Sequence, residues 1–307
     1  MPRYVAVFSE AGTIRAMAAH GPAAQAGMAV DAATTWPLVL RHAGAVPAVT
    51  AGFDPGTPNM ARVYDYWLGG KDHYAADRAE GDRLLEIYPE LADLVRENRA
   101  FIIRAVTLTA GLGIGQFIDL GAGLPASPAV HQAARKVRPA ARVAYVDTDP
   151  VVLSHARALL ATGDGVTTVE ADLRDPAAVL RHPDLRAVID PARPVCVILG
   201  AVLHFMDADA ARAVTAGYTS LMAPGSYLII SCASFDEGEL AKQLSAEYTA
   251  ATWHNHPAAV VESFFGGLVL AGPGVTEART WRAWLPEPVP CSRDGHVLGG
   301  AARLGDA

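Results

Sequence analysis

The chain has 307 residues, of which 51% are hydrophobic and 19% are charged, and its formal net charge is −7. This composition excludes a largely disordered chain, because it supplies enough apolar surface for a sizeable core. The negative charge argues against a broad nucleic-acid surface, which needs clustered lysine and arginine. We therefore expect no nucleic acid among the partners.

Cysteine usage and hydropathy restrict the location and the cofactor class. Cys196, Cys232 and Cys291 stand far apart without C-x-x-C spacing, so neither a disulfide framework nor a zinc site is indicated. No apolar run approaches the ~18 residues of a membrane span, and the start of the chain lacks the pattern of a signal peptide. These features predict a cytoplasmic protein without a bound metal or a membrane partner.

The first part of the chain differs from the rest. Residues 1–56 are rich in alanine and glycine and contain scattered prolines, although the apolar residues 4–8 favour a short strand. We interpret residues 1–56 as a poorly ordered N-terminal extension. An arm that covers a site or a partner is the alternative. The organised domain is expected at residues 57–307.

Three helices are predicted before the first strand of the alternating strand–helix pattern. Together they are predicted to form a helical cap at residues 57–113. The predicted helices are residues 59–68, 75–88 and 89–111. Gly69 and Gly70 stop the first helix, and Pro89 suits the first turn of the third. The apolar positions of the third helix recur at helical spacing.

Short apolar strands then alternate with helices. The predicted strands are residues 116–120, 142–147, 166–170, 195–200 and 227–231, and the predicted helices are residues 128–137, 150–161, 207–222, 236–252 and 257–265. Buried parallel sheets show this alternation. Residues 268–270 and 297–304 are interpreted as a hairpin-like edge pair. Residues 114–307 are therefore predicted to form a doubly wound α/β core.

Glycines follow the first strand of this core. Gly121 and Gly123 come directly after Asp119-Leu120. Open α/β sheets bind ligands at the carboxyl ends of strands, where glycine lets a ligand approach the backbone. A glycine turn between a strand and a helix is common, so this signal is weak by itself.

Acidic residues at the ends of the next two strands strengthen the prediction of a nucleoside site. Asp147 ends the second strand, where a carboxylate can accept hydrogen bonds from a ribose diol. Asp172 follows the third strand and could accept a hydrogen bond from an adenine amino group. Asp149 and Asp175 precede prolines and fit helix caps better.

The residues after the glycine turn discriminate between two cofactors. A nicotinamide dinucleotide site favours G-x-G-x-x-G, but Ala126 stands at the third glycine position. Pro125 also removes a backbone N–H that a pyrophosphate would use. S-adenosylmethionine has no phosphate, so the turn favours this cofactor over NAD(P).

Seven stretches share their residues with a known family, and the first is highly specific. They are residues 61–72 (ARVYDYWLGGKD), 97–101 (ENRAF), 117–125 (FIDLGAGLP), 145–150 (YVDTDP), 171–176 (ADLRDP), 201–205 (AVLHF) and 223–228 (APGSYL). On these residues the chain resembles the actinobacterial S-adenosylmethionine-dependent methyltransferase family once classed as a domain of unknown function. The resemblance implies a class I, Rossmann-like fold with a mostly parallel seven-stranded sheet.

The resemblance also implies which residues hold the cofactor. Gly121 and Gly123 would border its methionine part, Asp147 would hold the ribose, and Asp172 and Leu173 would flank the adenine. The full expected set from the strand ends is Asp119, Gly121, Ala122, Gly123, Asp147, Thr148, Asp172, Leu173 and Ala201. The chain departs from the family pattern at Trp67, Ala122 and His73, and we expect Trp67 and His73 to alter the acceptor pocket.

The segment from Arg62 to Asp72 combines charge and aromatic rings on one short helix and its glycine exit. We predict a lid over the cofactor, with Arg62 or Lys71 near the methionine carboxylate and a tyrosine face near the sulfonium. The lid prediction covers Arg62 and Tyr66 as cofactor contacts and Tyr64, Lys71, Asp72 and Asn98 as acceptor or lid contacts. The alternative is a solvated helix whose tyrosines are half-buried against the third helix.

His204 follows the fourth strand and has two interpretations: a general base that takes a proton from the acceptor, or a residue of the pocket wall.

The sequence predicts a methyltransferase with a small-molecule acceptor, S-adenosylmethionine as cofactor, and a homodimer as an open option. The alternatives are a non-catalytic S-adenosylmethionine-binding sensor or scaffold, and an NAD(P)-dependent oxidoreductase.

Overall fold

A computed structural model describes residues 3–8, 14–20, 53–236, 238–282 and 294–305. The chain divides into two compact units, Met1–Pro47 and Ala48–Ala307. In the first unit, strand β1 (Arg3–Phe8) pairs antiparallel with strand β2 (Ile14–His20). The strand expected at residues 4–8 is thus present, and the functional role of the extension stays a prediction.

Three helices open the second unit where the sequence predicts them. They are α1 (Met60–Trp67), α2 (Ala75–Ile87) and α3 (Leu91–Gly111). The Asn59 side chain accepts a hydrogen bond from the Ala61 amide at 2.8 Å and so caps α1. Gly69, with φ of 77°, adopts the left-handed conformation that ends this helix.

The remaining elements alternate between strands and helices. They are β3 (Gln116–Leu120), α4 (Val130–Val137), β4 (Arg142–Asp147), α5 (Pro150–Leu159), β5 (Val166–Glu170), α6 (Pro176–Arg181), α7 (Pro183–Val188), β6 (Cys196–Gly200), a 3-10 turn (Leu203–Phe205), α8 (Ala208–Leu221), β7 (Tyr227–Phe235), α9 (Glu239–Glu247), α10 (Ala258–Ser263), β8 (Val269–Leu270), β9 (Thr276–Glu277) and β10 (Gly295–Arg303). Asp149 caps α5 and Asp175 caps α6, as predicted. Helices α6 and α7, each six residues long, were not predicted.

The strands of the second unit form one eight-stranded sheet in the order β5-β4-β3-β6-β7-β10-β8, with β9 beside β10, where seven strands were expected. Strands β3 to β7 run parallel, and β10 is antiparallel to β7. All five residues of β3 are buried, because helices cover both faces of the sheet. The predicted doubly wound, mostly parallel fold is therefore confirmed, and the strand order reverses between β3 and β6.

The edge pair predicted near the carboxyl terminus is present only in part, because β10 pairs antiparallel with the edge strand β8 but is not itself at the edge. Strand β10 pairs along its whole length with β7, and only Ala302 and Arg303 pair with β8. Small residues explain its interior position: a Cβ at Gly299 would lie 2.7 Å from Cζ of Phe101. The run of glycine and alanine lets α3 pack closely on this strand.

The structure describes two of the three cysteines and the lengths of the helices. Cys196 on β6 and Cys232 on β7 are buried and free, and Cys291 lies outside the described residues. Among the described residues, no helix has the length and apolar character needed to cross a bilayer.

A buried cation anchors helix α1 to its neighbours. Arg62 is only 2% exposed, and its Nε donates to the Asp77 carboxylate at 2.9 Å. Its Nη1 lies 3.7 Å from Asp149, and its guanidinium lies 5.1 Å from the ring centroid of Phe53. Arg62 therefore joins α1 to α2 and to the start of α5. These partners occupy the Arg62 side chain, and its role as a cofactor contact stays a prediction.

We predict that Arg62→Ala destabilises the protein by about 3–5 kcal/mol, because it leaves the buried Asp77 carboxylate without its cation. Chemical denaturation measures this change. Lys71→Ala is the control, since Lys71 is exposed and should leave the free energy of unfolding unchanged. Equal stability of the two variants would contradict the anchoring role of Arg62.

Candidate functional site

A cavity of about 390 Å³ lies at the carboxyl ends of β3, β4 and β6, with helices α1 and α3 on its other side. The strand order reverses at this edge, which is where open α/β sheets bind ligands. The position follows from the topology, because the turns after adjacent parallel strands meet at one sheet edge.

The glycine turn after β3 forms part of the cavity wall. Gly121 and Gly123 have φ angles of 65° and 64°, which residues with a Cβ atom rarely adopt. A Cβ at Gly121 would lie 2.6 Å from Cγ1 of Val202, whereas the nearest atom to a Cβ at Gly123 is Cβ of Ala61 at 3.9 Å. Gly121 is thus required for internal packing, and Gly123 leaves its backbone open to a ligand.

The Asp147 carboxylate holds this turn in place. Its Oδ2 accepts a hydrogen bond from the Gly123 amide at 3.0 Å, and its Oδ1 accepts from the amides of Thr148 at 2.8 Å and Asp149 at 3.0 Å. A carboxylate offers about four lone-pair sites, so one remains for a ligand hydroxyl. Burial raises the pKa of Asp147, and the three amide bonds oppose that shift.

Asp119 presents a second buried carboxylate to the cavity. It is 7% exposed, and among the described residues none donates a hydrogen bond to its side chain. Burial raises its pKa to about 7, with the Arg99 charge favouring ionisation and the Asp147 charge opposing it. Such a group suits a cationic ligand, because a positive charge would compensate the desolvated carboxylate.

Arg99 on α3 is a cation in the same wall. Its Nη2 donates to the carbonyl oxygens of Ala126, at 3.3 Å, and of Pro128. Its buried Nε has no hydrogen-bond partner among the described residues. An unpaired buried donor costs about 1–3 kcal/mol, so an anionic ligand group beside Arg99 would relieve that cost.

A chain of hydrogen bonds joins α1, α3 and the sheet behind the cavity. Asn98 donates to the Tyr64 hydroxyl at 2.8 Å and accepts from the Ser231 hydroxyl at 2.6 Å. The Ser231 hydroxyl accepts from the Ala201 amide at 3.1 Å. Ala201 has a φ of 57°, a conformation that alanine rarely adopts. The network therefore fixes a strained turn at the end of β6.

His204 lines the cavity in the 3-10 turn after β6. Its Nδ1 accepts a hydrogen bond from the Ala233 amide at 3.3 Å, so the proton of the neutral ring sits on Nε2. Burial, together with the nearby His256, lowers the pKa of His204 to about 3. The ring is a weak base, so this geometry favours a residue of the pocket wall over a general base.

The structure brings ten of the sixteen sequence-predicted site residues to the cavity wall. These are Asp119, Gly121, Ala122, Gly123, Asp147, Thr148, Ala201, His204, Tyr64 and Asn98. The other six, Arg62, Tyr66, Lys71, Asp72, Asp172 and Leu173, lie outside the described lining.

The lid prediction for the glycine exit of α1 stays a prediction, and the structure shows that Asp65 organises that loop. The Asp65 carboxylate accepts a hydrogen bond from the Asp72 amide at 3.0 Å and contacts His73 Nδ1 at 3.0 Å. Tyr66 donates its hydroxyl to Asp82 on α2, and Lys71 is exposed. The charges of this segment therefore serve contacts between helices.

The adenine contact predicted for Asp172 and Leu173 stays a prediction, and the structure shows the present partner of Asp172. The Asp172 carboxylate forms a bidentate pair with Arg174, with its Oδ2 2.6 Å from Nη2. Arg174 lowers the pKa of Asp172 and holds it ionised. Leu173 packs near the glycine turn, where its Cδ2 would lie 3.4 Å from a Cβ at Gly121.

Arg99 and Trp253 are among the residues of the wall that the sequence analysis missed. Arg99 stands inside the family stretch at residues 97–101, which is the signal that could have found it. Trp253 stands outside all seven family stretches. Nothing local marks Trp253 as a cavity residue, because the chain segment after α9 that carries it has no regular secondary structure.

We predict that Gly121→Ala lowers the free energy of unfolding more than Gly123→Ala. Both changes strain a left-handed residue by about 1–2 kcal/mol, but only Gly121→Ala also meets Val202. Urea denaturation measures both variants. Combining Gly121→Ala with Val202→Ala should recover part of the loss, and a purely additive double variant would contradict the contact.

Comparison with known proteins shows to which family this architecture belongs. The S-adenosyl methyltransferase family model matches residues 48–304. A Thermobifida fusca YX protein proposed to be a methyltransferase has 37% identity to the chain and a TM-score of 0.76, covering 84% of this chain and 98% of its own. A DUF574 family protein from Streptomyces avermitilis MA-4680 has 35% identity and a TM-score of 0.73, covering 82% and 99%.

No curated protein matches the chain. The glycine turn, the buried acids and the unpaired arginine fit S-adenosylmethionine, which carries a ribose, an ammonium and a carboxylate. The family match excludes the oxidoreductase alternative. The chain belongs to the S-adenosyl methyltransferase family and is an S-adenosylmethionine-dependent methyltransferase.

Proposed function

We propose that this methyltransferase acts on a small molecule that binds beside the cofactor in the same cavity. One observation carries the proposal: the cofactor turn and an apolar, aromatic wall line a single space of about 390 Å³. Small-molecule pockets have volumes of about 300–1,000 Å³, whereas a macromolecular acceptor would need an open groove.

Fractionated extract from the source cells tests this proposal. The protein is incubated with methyl-labelled S-adenosylmethionine and separate small-molecule, protein and RNA fractions. We expect label in the small-molecule fraction. Label confined to the protein or RNA fraction would overturn the small-molecule assignment.

We further propose how the chain holds the cofactor, which supplies an electrophilic methyl group on a sulfonium. Arg99 Nε would donate to its carboxylate, Asp119 would accept from its ammonium, and the free lone pair of Asp147 would accept from a ribose hydroxyl. His204 stays neutral and contributes to the wall. Catalysis by this chain then rests on orientation of the acceptor and exclusion of water.

Arg99→Met should weaken binding of S-adenosylhomocysteine by about tenfold or more, because it removes a charge-assisted hydrogen bond. Calorimetry measures the affinity. The control ligand is 5′-methylthioadenosine, which lacks the amino-acid group and should bind both proteins alike. An equal loss for both ligands would mean that Arg99 only supports the loop at Ala126 and Pro128.

Affinity for S-adenosylhomocysteine should rise between about pH 6 and about pH 8, by at most about tenfold per pH unit. The reason is that Asp119, with a pKa of about 7 in the free protein, must ionise to pair with the ammonium. Asp119→Asn should remove this pH dependence. A flat profile in the unaltered protein would contradict the pairing.

The stability of Asp119→Asn provides a control, because ionisation of Asp119 favours ligand binding but disfavours the folded state. The pKa of Asp119 rises from 3.8 to about 7 on folding, so the folded state loses stability as the pH increases through this interval. Without ligand, Asp119→Asn should therefore melt no lower than the unaltered protein at about pH 8. Lost binding with retained stability separates a ligand contact from a folding defect.

A further inference from the structure

Charge and aromatic rings occupy different parts of the cavity. The charged lining residues are Arg99, Asp119, Asp147 and Asp149, on α3 and at the ends of β3 and β4. An aromatic cluster, formed by His204, Phe205, Tyr248 and Trp253, lies after β6 and after α9. No charged group of the described residues lines the cavity at this cluster.

The rings of the cluster pack against one another. The His204 ring centroid lies 4.4 Å from that of Trp253 and 4.3 Å from that of Phe205, and the Tyr248 centroid lies 5.3 Å from that of Trp253. Leu91 and Leu94 of α3 also line the cavity. Such a wall suits a flat apolar ligand, whereas a negative charge placed there would lose its hydration without compensation.

One polar group in this wall has no partner. Trp253 is 5% exposed, and its indole Nε1 is buried without a hydrogen bond to any described residue. Trp67 lines the same cavity, but its Nε1 donates to the Gly81 carbonyl oxygen at 3.3 Å. Buried tryptophan N–H groups usually have a partner, so the Trp253 N–H is an unsatisfied donor beside the cavity.

An indole N–H can only donate, so its partner must be a hydrogen-bond acceptor. His204 adds a second donor, because its Nδ1 accepts from the Ala233 amide and the neutral ring carries its proton on Nε2. The aromatic cluster thus offers N–H donors in an apolar wall without a charged side chain.

Resting on the proposed function, we infer that the methyl acceptor is an aromatic molecule without an anionic group, with an oxygen that accepts a hydrogen bond from the Trp253 indole. The aromatic cluster contacts the ring of this molecule. The absence of a cationic side chain at the cluster selects against carboxylate and phosphate substituents.

A matched pair of probes tests this inference by calorimetry in the presence of saturating S-adenosylhomocysteine. Methyl 4-hydroxybenzoate is the uncharged probe, and 4-hydroxybenzoate differs from it by carrying a carboxylate. We expect the ester to bind about tenfold or more tightly than the acid, since the acid would bury an uncompensated charge.

Two variants with the same volume change test the indole. Trp253→Phe should weaken binding of the ester about tenfold, because the ester loses a hydrogen bond in a desolvated site. Trp67→Phe should weaken binding of the ester less than about threefold, because the Trp67 N–H already donates to the Gly81 carbonyl oxygen. Both variants should bind S-adenosylhomocysteine as the unaltered protein does.

Three outcomes would overturn the inference while the proposed function stands: equal binding of ester and acid, an equal loss in the two tryptophan variants, or no binding of either probe to a protein that binds S-adenosylhomocysteine. Failure of the unaltered protein to bind S-adenosylhomocysteine would instead remove the proposed cofactor site, and the inference with it.

Discussion

The site depends on the hydrogen bonds that the Asp147 carboxylate accepts from three backbone amides. These bonds connect the glycine turn after β3 to the start of the segment after β4. Without them the amides of Gly123, Thr148 and Asp149 would lose these acceptors, and the Val146 carbonyl oxygen, which accepts from the amides of Gly121 and Ala122, would have to hold the glycine turn. One side chain thus both shapes the nucleoside site and remains able to contact a ligand.

The second feature of the site is buried charge, for which a bound ligand would supply partners. Asp119 and Arg99 face the cavity with atoms that the described protein does not pair. Desolvation makes such groups costly in a free protein, yet the same cost becomes binding energy when a ligand carries both an ammonium and a carboxylate. Sites that bind zwitterions benefit from this arrangement, because water competes poorly for groups that are already dehydrated.

Much of the fold could be predicted because its signals are local. Strands β3, β4 and β5 coincide with apolar runs between helices, and Asp149 marks the start of α5. The strand at residues 297–304 was expected, but its pairing with β7 was not, because the two strands are distant in the sequence. Packing against Phe101 explains the small residues of β10. Short helices α6 and α7 carry too few residues for a clear period.

The site was predictable where chemistry and topology coincide, as at Gly121, Asp119 and Asp147. It was not predictable where two residues of the same type compete for one role. Arg62 and Arg99 both stand in family stretches, and the sequence does not reveal that the partners of Arg62 come from α2 and α5. Tertiary contacts decide that the Nε of Arg62 has a partner and that the Nε of Arg99 has none among the described residues, and no local pattern records these contacts.

The hydrogen bonds from Tyr64 through Asn98 to Ser231 have a consequence for ligand traffic. They tie helices α1 and α3 to the central strand β7 with buried donors and acceptors, so swinging these helices away would break several bonds at once. We expect reactants to enter and products to leave past the irregular segment between α9 and α10, while the helical side of the chamber stays fixed throughout turnover.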